Sequence, residues 1–328
     1  MPLWLTRQDV ESVLTMEDAI TVVEEAFRQL ALGDAVLPQR VGIGLAKYGG
    51  GGAAMPAYVG GDVDGLGIKV VTLFSGNPVK HSLPAVMATM MLLDPRTGEL
   101  LAVMDAGFLT AMRTGAVSGV ATRYLARPDA DTVTVFGAGV QARAQLIAVC
   151  AVRPIERAYV VDLVPEAAQH FAGEMSERLN IPVEPADDVR ATVEMADVIA
   201  TATTAHEPLF DGNWLSPGTH INGIGSHSPG ARELDTTAIQ RAKVVADQTA
   251  ACLAEAGDLI IPIREGAITE THIHAQLGEI VAGLNPGREA DEEITLFKSV
   301  GLAIQDVAVA VLVLEKARAA GVGQVLET

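Results

Sequence analysis

The spacing of apolar residues changes character along this chain, and each change predicts a different kind of element. Near the N-terminus Val10, Val13, Leu14, Ala19, Val22 and Ala26 return to one face at helical spacing. That spacing predicts helix over residues 1 to about 30, with Gly33 as its stop. Residues 38–105 switch to β-rich runs: "RVGIGLAKY", "AAMPAYVG", "GLGIKVVTLF" and "AVMATMMLLDPRTGELLAVMDA". The last run contains a hairpin, because "DPRTGE" places Pro and Gly between two apolar stretches. "YGGGGAAM" reads as a turn or flexible loop.

A small-residue helix, "FLTAMRTGAVSGVATRYLAR", follows at 108–127. Strands and helices then alternate through "TVTVFGAG", "RAYVVDL", "IPVEP", "DVIATATT", "THINGIG" and "AKVVADQ". Such alternation predicts a parallel sheet with crossover helices. The stretch "DEEITLFKSVGLAIQDVAVAVLVLEKARAAG" reads as one long helix returning to the first domain.

The chain has 328 residues, enough for two domains, and its 49% hydrophobic content is that of a globular protein. No apolar run reaches the roughly 18 residues that a membrane span needs. The N-terminus "MPLWLTRQDVESVL" lacks the long apolar core of a signal peptide. Cys150 and Cys252 lie in apolar contexts and read as buried free thiols, so a cytoplasmic location is expected. A net charge of −18 argues against nucleic acid or an anionic membrane as partner.

The chemistry begins at "TVTVFGAGVQARAQ", a β-branched strand, a glycine turn and a helix. Gly137, Gly139 and Ala142 form a G-x-G-x-x-A pattern. Gly137 allows the tight turn, Gly139 lets backbone approach a pyrophosphate, and Ala142 lets the helix pack near the strand. From Val140 and Gln141 onward the helix N-terminus offers free N–H groups to phosphate. Asp162 ends the next strand, 25 residues after Gly137, where a carboxylate accepts ribose hydroxyls and repels a 2′-phosphate. The expectation is a Rossmann domain that binds NAD.

Isolated cations stand out in the apolar first segment: Arg40, Lys69 within "GLGIKVVTLF", and Arg113 within "FLTAMRTGAVSG". Together they would form a pocket for a small carboxylate, since arginine forks suit bidentate binding. A desolvated lysine can serve as proton donor, base or Schiff-base nucleophile.

The run from "KVVTLFSGNPVKHSLPAVMATMM" to "AMRTGAVSG", then "FGAGVQA", "INGIGSHSPGARELD" and "LFKSVGLAIQDVAVA", resembles the ornithine cyclodeaminase/μ-crystallin family. In character it is nearest to the archaeal-type alanine dehydrogenases of that family. The resemblance covers essentially the whole chain. It implies an α/β fold in two parts. A doubly wound Rossmann domain would span 115–301, and a discontinuous α+β substrate and dimerisation domain would span 1–114 plus 302–328. The active site would lie in the cleft and the protein would be a homodimer.

By position, the resemblance gives Arg40 and Arg113 the substrate carboxylate and Lys69 the proton transfer. It gives Thr114 the cofactor phosphates and sets Thr203, Ser226 and Val300 beside the nicotinamide. One departure matters. Cyclodeaminases carry an essential aspartate just before the Pro-Gly of "GSHSPGARELD", and here His227 holds that place. Histidine can still act as a base, but a side chain that can become positive suits a cationic diamine poorly. Glu233 and Asp235 are not substitutes. His272 and His274 have an H-x-H spacing without a third ligand, so no metal is expected; His81 reads as a loop residue.

The leading expectation is therefore an NAD-dependent oxidoreductase moving a hydride at the α-carbon of a small L-amino acid or its imine. The alternatives are a cyclodeaminase with catalytic NAD, and a non-enzymatic μ-crystallin-like binder of NAD(P)H or ligand.

Overall fold

The computed structural model describes residues 1–327 and divides into two compact units. The first holds Met1–Arg113 together with the chain from Leu302 onward, and the second holds Thr114–Gly301. The division falls inside the helix Gly107–Leu125.

The first unit is built on one sheet. Its order is Gln324–Val325, Leu3–Leu5, Leu100–Asp105, Val86–Leu93, Gly65–Phe74, Gly50–Val59 and Ala35–Val36, with Val41–Leu45 also paired to Gly50–Val59. Side chains alternate across it. Met55, Ala57, Val59, Met90, Leu92 and Met104 are buried on the face covered by the helices Met16–Leu32 and Ala303–Ala320. On the opposite face the apolar side chains of Val70 and Met91 stay 50% and 41% exposed.

Two expectations for this unit are corrected. The N-terminal stretch is a strand, Leu3–Leu5, and two helices, Arg7–Val13 and Met16–Leu32. The helices separate because Thr6 and Thr15 each cap a new start, accepting from the backbone N–H of Asp9 and Asp18. Only Tyr48 and Gly49 of the glycine run turn; from Gly50 the chain is a ten-residue strand, Gly50–Val59, between Val41–Leu45 and Gly65–Phe74. The missing side chains admit the close pairing, since a Cβ on Gly51 would lie 2.5 Å from the Ile43 carbonyl oxygen.

The second unit is a parallel sheet in the order Val183–Pro185, Arg157–Val161, Thr132–Phe136, Val198–Thr201, His220–Gly223, Ile294–Lys298, Ala242–Ala246 and Ile273–Gln276. The chain winds outward from Thr132–Phe136, then returns to Val198–Thr201 on its other side. That reversal is the switch point at which doubly wound sheets bind ligands. One apolar core lies around Val133, Val135, Leu146 and Phe171, and another around Ile199, Ile221, Leu259 and Leu296.

"ITLFK" corrects a third expectation. The residues from Ile294 to Lys298 form a strand buried at every position, and the helix begins only at Ala303. A strand covered on both faces has no alternation, so its periodicity cannot be told from that of a buried helix.

Candidate active site

One glycine explains how an acid reaches the lysine in the middle of the first unit's sheet. A Cβ on Gly65 would lie 2.6 Å from Val311 Cγ2 and 3.0 Å from Val307 Cγ1. Without a side chain at this position, the helix Ala303–Ala320 settles directly on the strand Gly65–Phe74. Asp306, in the first turn of that helix, then meets Lys69, two residues beyond Gly67 on the same face.

Lys69 Nζ lies 2.8 Å from both carboxylate oxygens of Asp306, and both side chains are buried. Arg113, also buried, places its Nε 3.0 Å from Asp306 Oδ1 and donates from Nη1 to Gln305 Oε1 at 2.5 Å. One carboxylate thus serves two cations. Burial strips water from the Lys69 ammonium and Arg113 repels it. Together they push its pKa down to about 7 against the pull of Asp306, with a smaller push from Arg40. Arg40 is partly exposed, directly before the strand Val41–Leu45. A lysine near half-protonation at neutral pH, held beside arginines, can exchange a proton with a bound carboxylate compound.

The glycine loop belongs to the second unit. Gly137 adopts φ 99°, a left-handed conformation, and donates its N–H to the Val161 carbonyl at 2.8 Å. Gly139 caps the helix Val140–Val152, and nothing lies within 4 Å of where its Cβ would be. No side chain caps that helix start, and Val140 is exposed. A diphosphate fits a helix start left open in this way. Ala142 is fully buried. Asp162 follows the strand Arg157–Val161, and its carboxylate accepts from Ala138 N at 2.8 Å and Val164 N at 2.9 Å. The loop and its acid are thereby one assembly, and the residues fit a dinucleotide. Thr114 is buried, and its carbonyl accepts from Gln145 Nε2 in the helix behind the loop.

The remaining sequence candidates lie at the C-terminal ends of neighbouring strands in the same unit. Thr203 N and Oγ1 each donate to Glu233 Oε1 at 2.7 Å. Ser226 Oγ donates to the Ala231 carbonyl at 2.6 Å, and Val300 N donates to Asp247 Oδ2 at 2.8 Å. His227 is exposed, with Nδ1 2.9 Å from the Gly225 carbonyl oxygen. His272 and His274 turn Nε2 toward the carbonyls of Ile239 and Pro286. Among the described residues no group of three or more His, Cys, Asp or Glu could hold a metal ion. Cys150 and Cys252 are free, and His81 ends a short helix, Asn77–His81.

Sequence reasoning missed Asp306 and Gln305. The signal was present in "GLAIQDVAVAVLVL", where one acid stands in an otherwise apolar helix, as Lys69 stands in an apolar strand. Glu233 and Asp247, buried and holding the loops just described, were missed as well.

A model of the ornithine cyclodeaminase/mu-crystallin family matches residues 2–321. The alanine dehydrogenase of Archaeoglobus fulgidus is 42% identical over 322 residues, covering 98% of this chain and 97% of that protein. Among solved structures, Thermococcus litoralis Delta(1)-pyrroline-2-carboxylate reductase in complex with NADH and L-proline is 49% identical. It superposes with a TM-score of 0.96 over 99% of this chain and 100% of that one. An archaeal alanine dehydrogenase dimer with bound NAD is 40% identical, with a TM-score of 0.93 and 99% of both chains covered.

Proposed function

The chain belongs to the ornithine cyclodeaminase/mu-crystallin family, and from that premise we propose how its residues serve an NAD-dependent oxidoreductase acting at the α-carbon of a small L-amino acid or its imine. The observation that carries the proposal is the buried Lys69–Asp306–Arg113 cluster. A purely structural ion pair needs one cation; this one sets a second beside it, at a cost in repulsion that a substrate carboxylate would offset.

Arg113 forms an ion pair with Asp306 and donates one Nη1 hydrogen to Gln305, so its plane is fixed before substrate arrives. Its remaining N–H groups, with Arg40, grip the carboxylate and present the α-carbon and nitrogen to Lys69. Lys69 then gives a proton to the imine nitrogen in reduction, or takes one from water or the amine in oxidation. Gly137, Gly139, Val140, Gln141 and Thr114 hold the phosphates of NAD, and Asp162 holds the adenosine ribose. Thr203, Ser226 and Val300 line the nicotinamide. Bound NAD supplies the hydride acceptor in one direction and, reduced, the donor in the other. His227 stands where a cyclodeaminase needs a carboxylate for a cationic diamine, which favours the dehydrogenase and reductase reactions over cyclodeamination.

The test is a substrate panel followed at the NADH absorbance band. Alanine and proline are offered with NAD, and pyruvate plus ammonia or a cyclic imino acid with NADH. Net change of NADH is expected with an α-amino acid or its imine. Ammonia release from ornithine without net NADH change would establish cyclodeamination instead, and NADH binding without turnover would establish a binder.

We further infer a homodimer formed through the uncovered face of the first unit's sheet. Ile68, Val70, Met87 and Met91 lie together there by register, with Val70 and Met91 half exposed. Met91→Asp is expected to halve the mass measured by light scattering; an unchanged mass would place the interface elsewhere. The free thiols Cys150 and Cys252 suit a reducing compartment, and we place the protein in the cytoplasm.

A further inference from the structure

Under the C-terminal edge of the second unit's sheet lies a second buried charge cluster that the reaction itself does not use. Lys298, Asp258 and Glu233 are fully buried and Asp247 nearly so. Lys298 Nζ pairs with Asp258 Oδ2 at 2.8 Å. Asp258 Oδ1 accepts from the backbone N–H groups of Glu233 at 2.7 Å and Leu234 at 3.0 Å, which fixes the segment that carries Glu233.

The Glu233 carboxylate then accepts from Thr201 Oγ1, Thr203 N, Thr203 Oγ1 and Gly225 N, each at 2.7 Å. Beside it, Asp247 accepts from Ser299 Oγ, Val300 N and Gly301 N, at 2.8 to 2.9 Å. Every loop leaving this part of the sheet is held by one of these carboxylates, and Lys298 is the cation among them. Burial pulls the Lys298 pKa down, but Asp258 and Glu233 outweigh it and keep the ammonium charged.

Such a cluster contributes little net stability, because desolvation offsets most of its attraction. Its placement has a different consequence. With the diphosphate on the helix Val140–Val152 and the adenosine ribose at Asp162, a dinucleotide extends its other half past the switch point. It then lies over the ends of Val198–Thr201, His220–Gly223 and Ile294–Lys298. Those are the ends tied by Glu233 and Asp247.

We propose that Lys298 is a positioning residue for the nicotinamide half of the cofactor, acting through Asp258 and Glu233 on the loops at Thr203 and Gly225 without touching the ligand. This rests on the NAD reading above. ADP-ribose, which lacks the nicotinamide, separates the two ideas. Lys298→Met is expected to bind ADP-ribose within about twofold of wild type and NADH about tenfold or more weaker, a difference of about 1.4 kcal/mol.

Glu233→Gln tests the same relay from its other end, should the lysine variant not fold, because it turns one acceptor oxygen, either the one facing Thr201 and Gly225 or the one facing Thr203, into an N–H. It is expected to show the same selective loss. A folded variant of either kind that keeps the wild-type ratio of the two affinities, or loses both ligands equally, would overturn the positioning role. A wild-type chain that bound neither ligand would overturn the NAD reading instead.

Discussion

Replacing Lys69 with alanine is expected to lower kcat/KM about a thousandfold, the scale of losing a general acid–base, while NADH binding stays within about twofold of wild type. The cofactor loop belongs to the second unit and Lys69 to the first, so the substitution leaves the loop's own hydrogen bonds intact. The fold is expected to persist, because Arg113 still pairs with Asp306 at 3.0 Å and no buried carboxylate is left without a cation. With the wild-type pKa near 7, reduction should weaken as pH rises through 7 and the protonated lysine is lost. Oxidation should strengthen over the same range. Steady-state rates in both directions, with fluorescence titration of NADH, check this; a variant that lost NADH binding, or kept its turnover, would remove Lys69 from proton transfer.

Asp306→Ala should act on stability as well as rate. It leaves Lys69 and Arg113 facing each other in a buried site, and breaking a buried pair from one side costs about 3–5 kcal/mol. In a unit of this size that corresponds to roughly 10 °C in Tm. The loss has a definite pH dependence. The folded pKa of Lys69 already lies below its unfolded value, so the unfolded chain holds more protons between pH 7 and 10.5, and the stability contribution of this lysine rises with pH across that window.

Removing Asp306 lowers the folded pKa further. The gap between wild type and variant should therefore be widest at acid pH, where Lys69 must be charged in both, should narrow as pH rises toward 7, and should stay level above 7, where the lysine is neutral in both folded chains. Thermal melts from about pH 5 to 9 decide the point: a gap that did not narrow between pH 5 and 7 would mean that the carboxylate does not set the lysine's charge. Asp306→Asn, closer in shape, should carry the alkaline fall of the reduction rate to lower pH.

The doubly wound sheet, its glycine loop and the acid that follows were legible in the sequence, because each is local. A strand, a turn and a helix start are adjacent in the chain, and Asp162 is one strand further on. The unusual burial of Lys69 and Arg113 was legible for a related reason: a charge among apolar neighbours marks itself. Strand "ITLFK" was not legible, since a strand buried on both faces has lost the alternation that would identify it. Nor was the break at Leu14, where capping by Thr15 outweighs a hydrophobic period that continues through it.

What the sequence by itself determined is a cofactor class and a set of cations with no evident partner. Only the tertiary structure decided what holds those cations. Asp306 lies 237 residues from Lys69 and reaches it because Gly65 lets a helix from the far end of the chain rest against the sheet. The balance that brings the lysine near pH 7 is a sum over burial, Arg113 and Asp306. Electrostatic energy depends on distance in space and on the water excluded from it, and spacing along the chain carries neither.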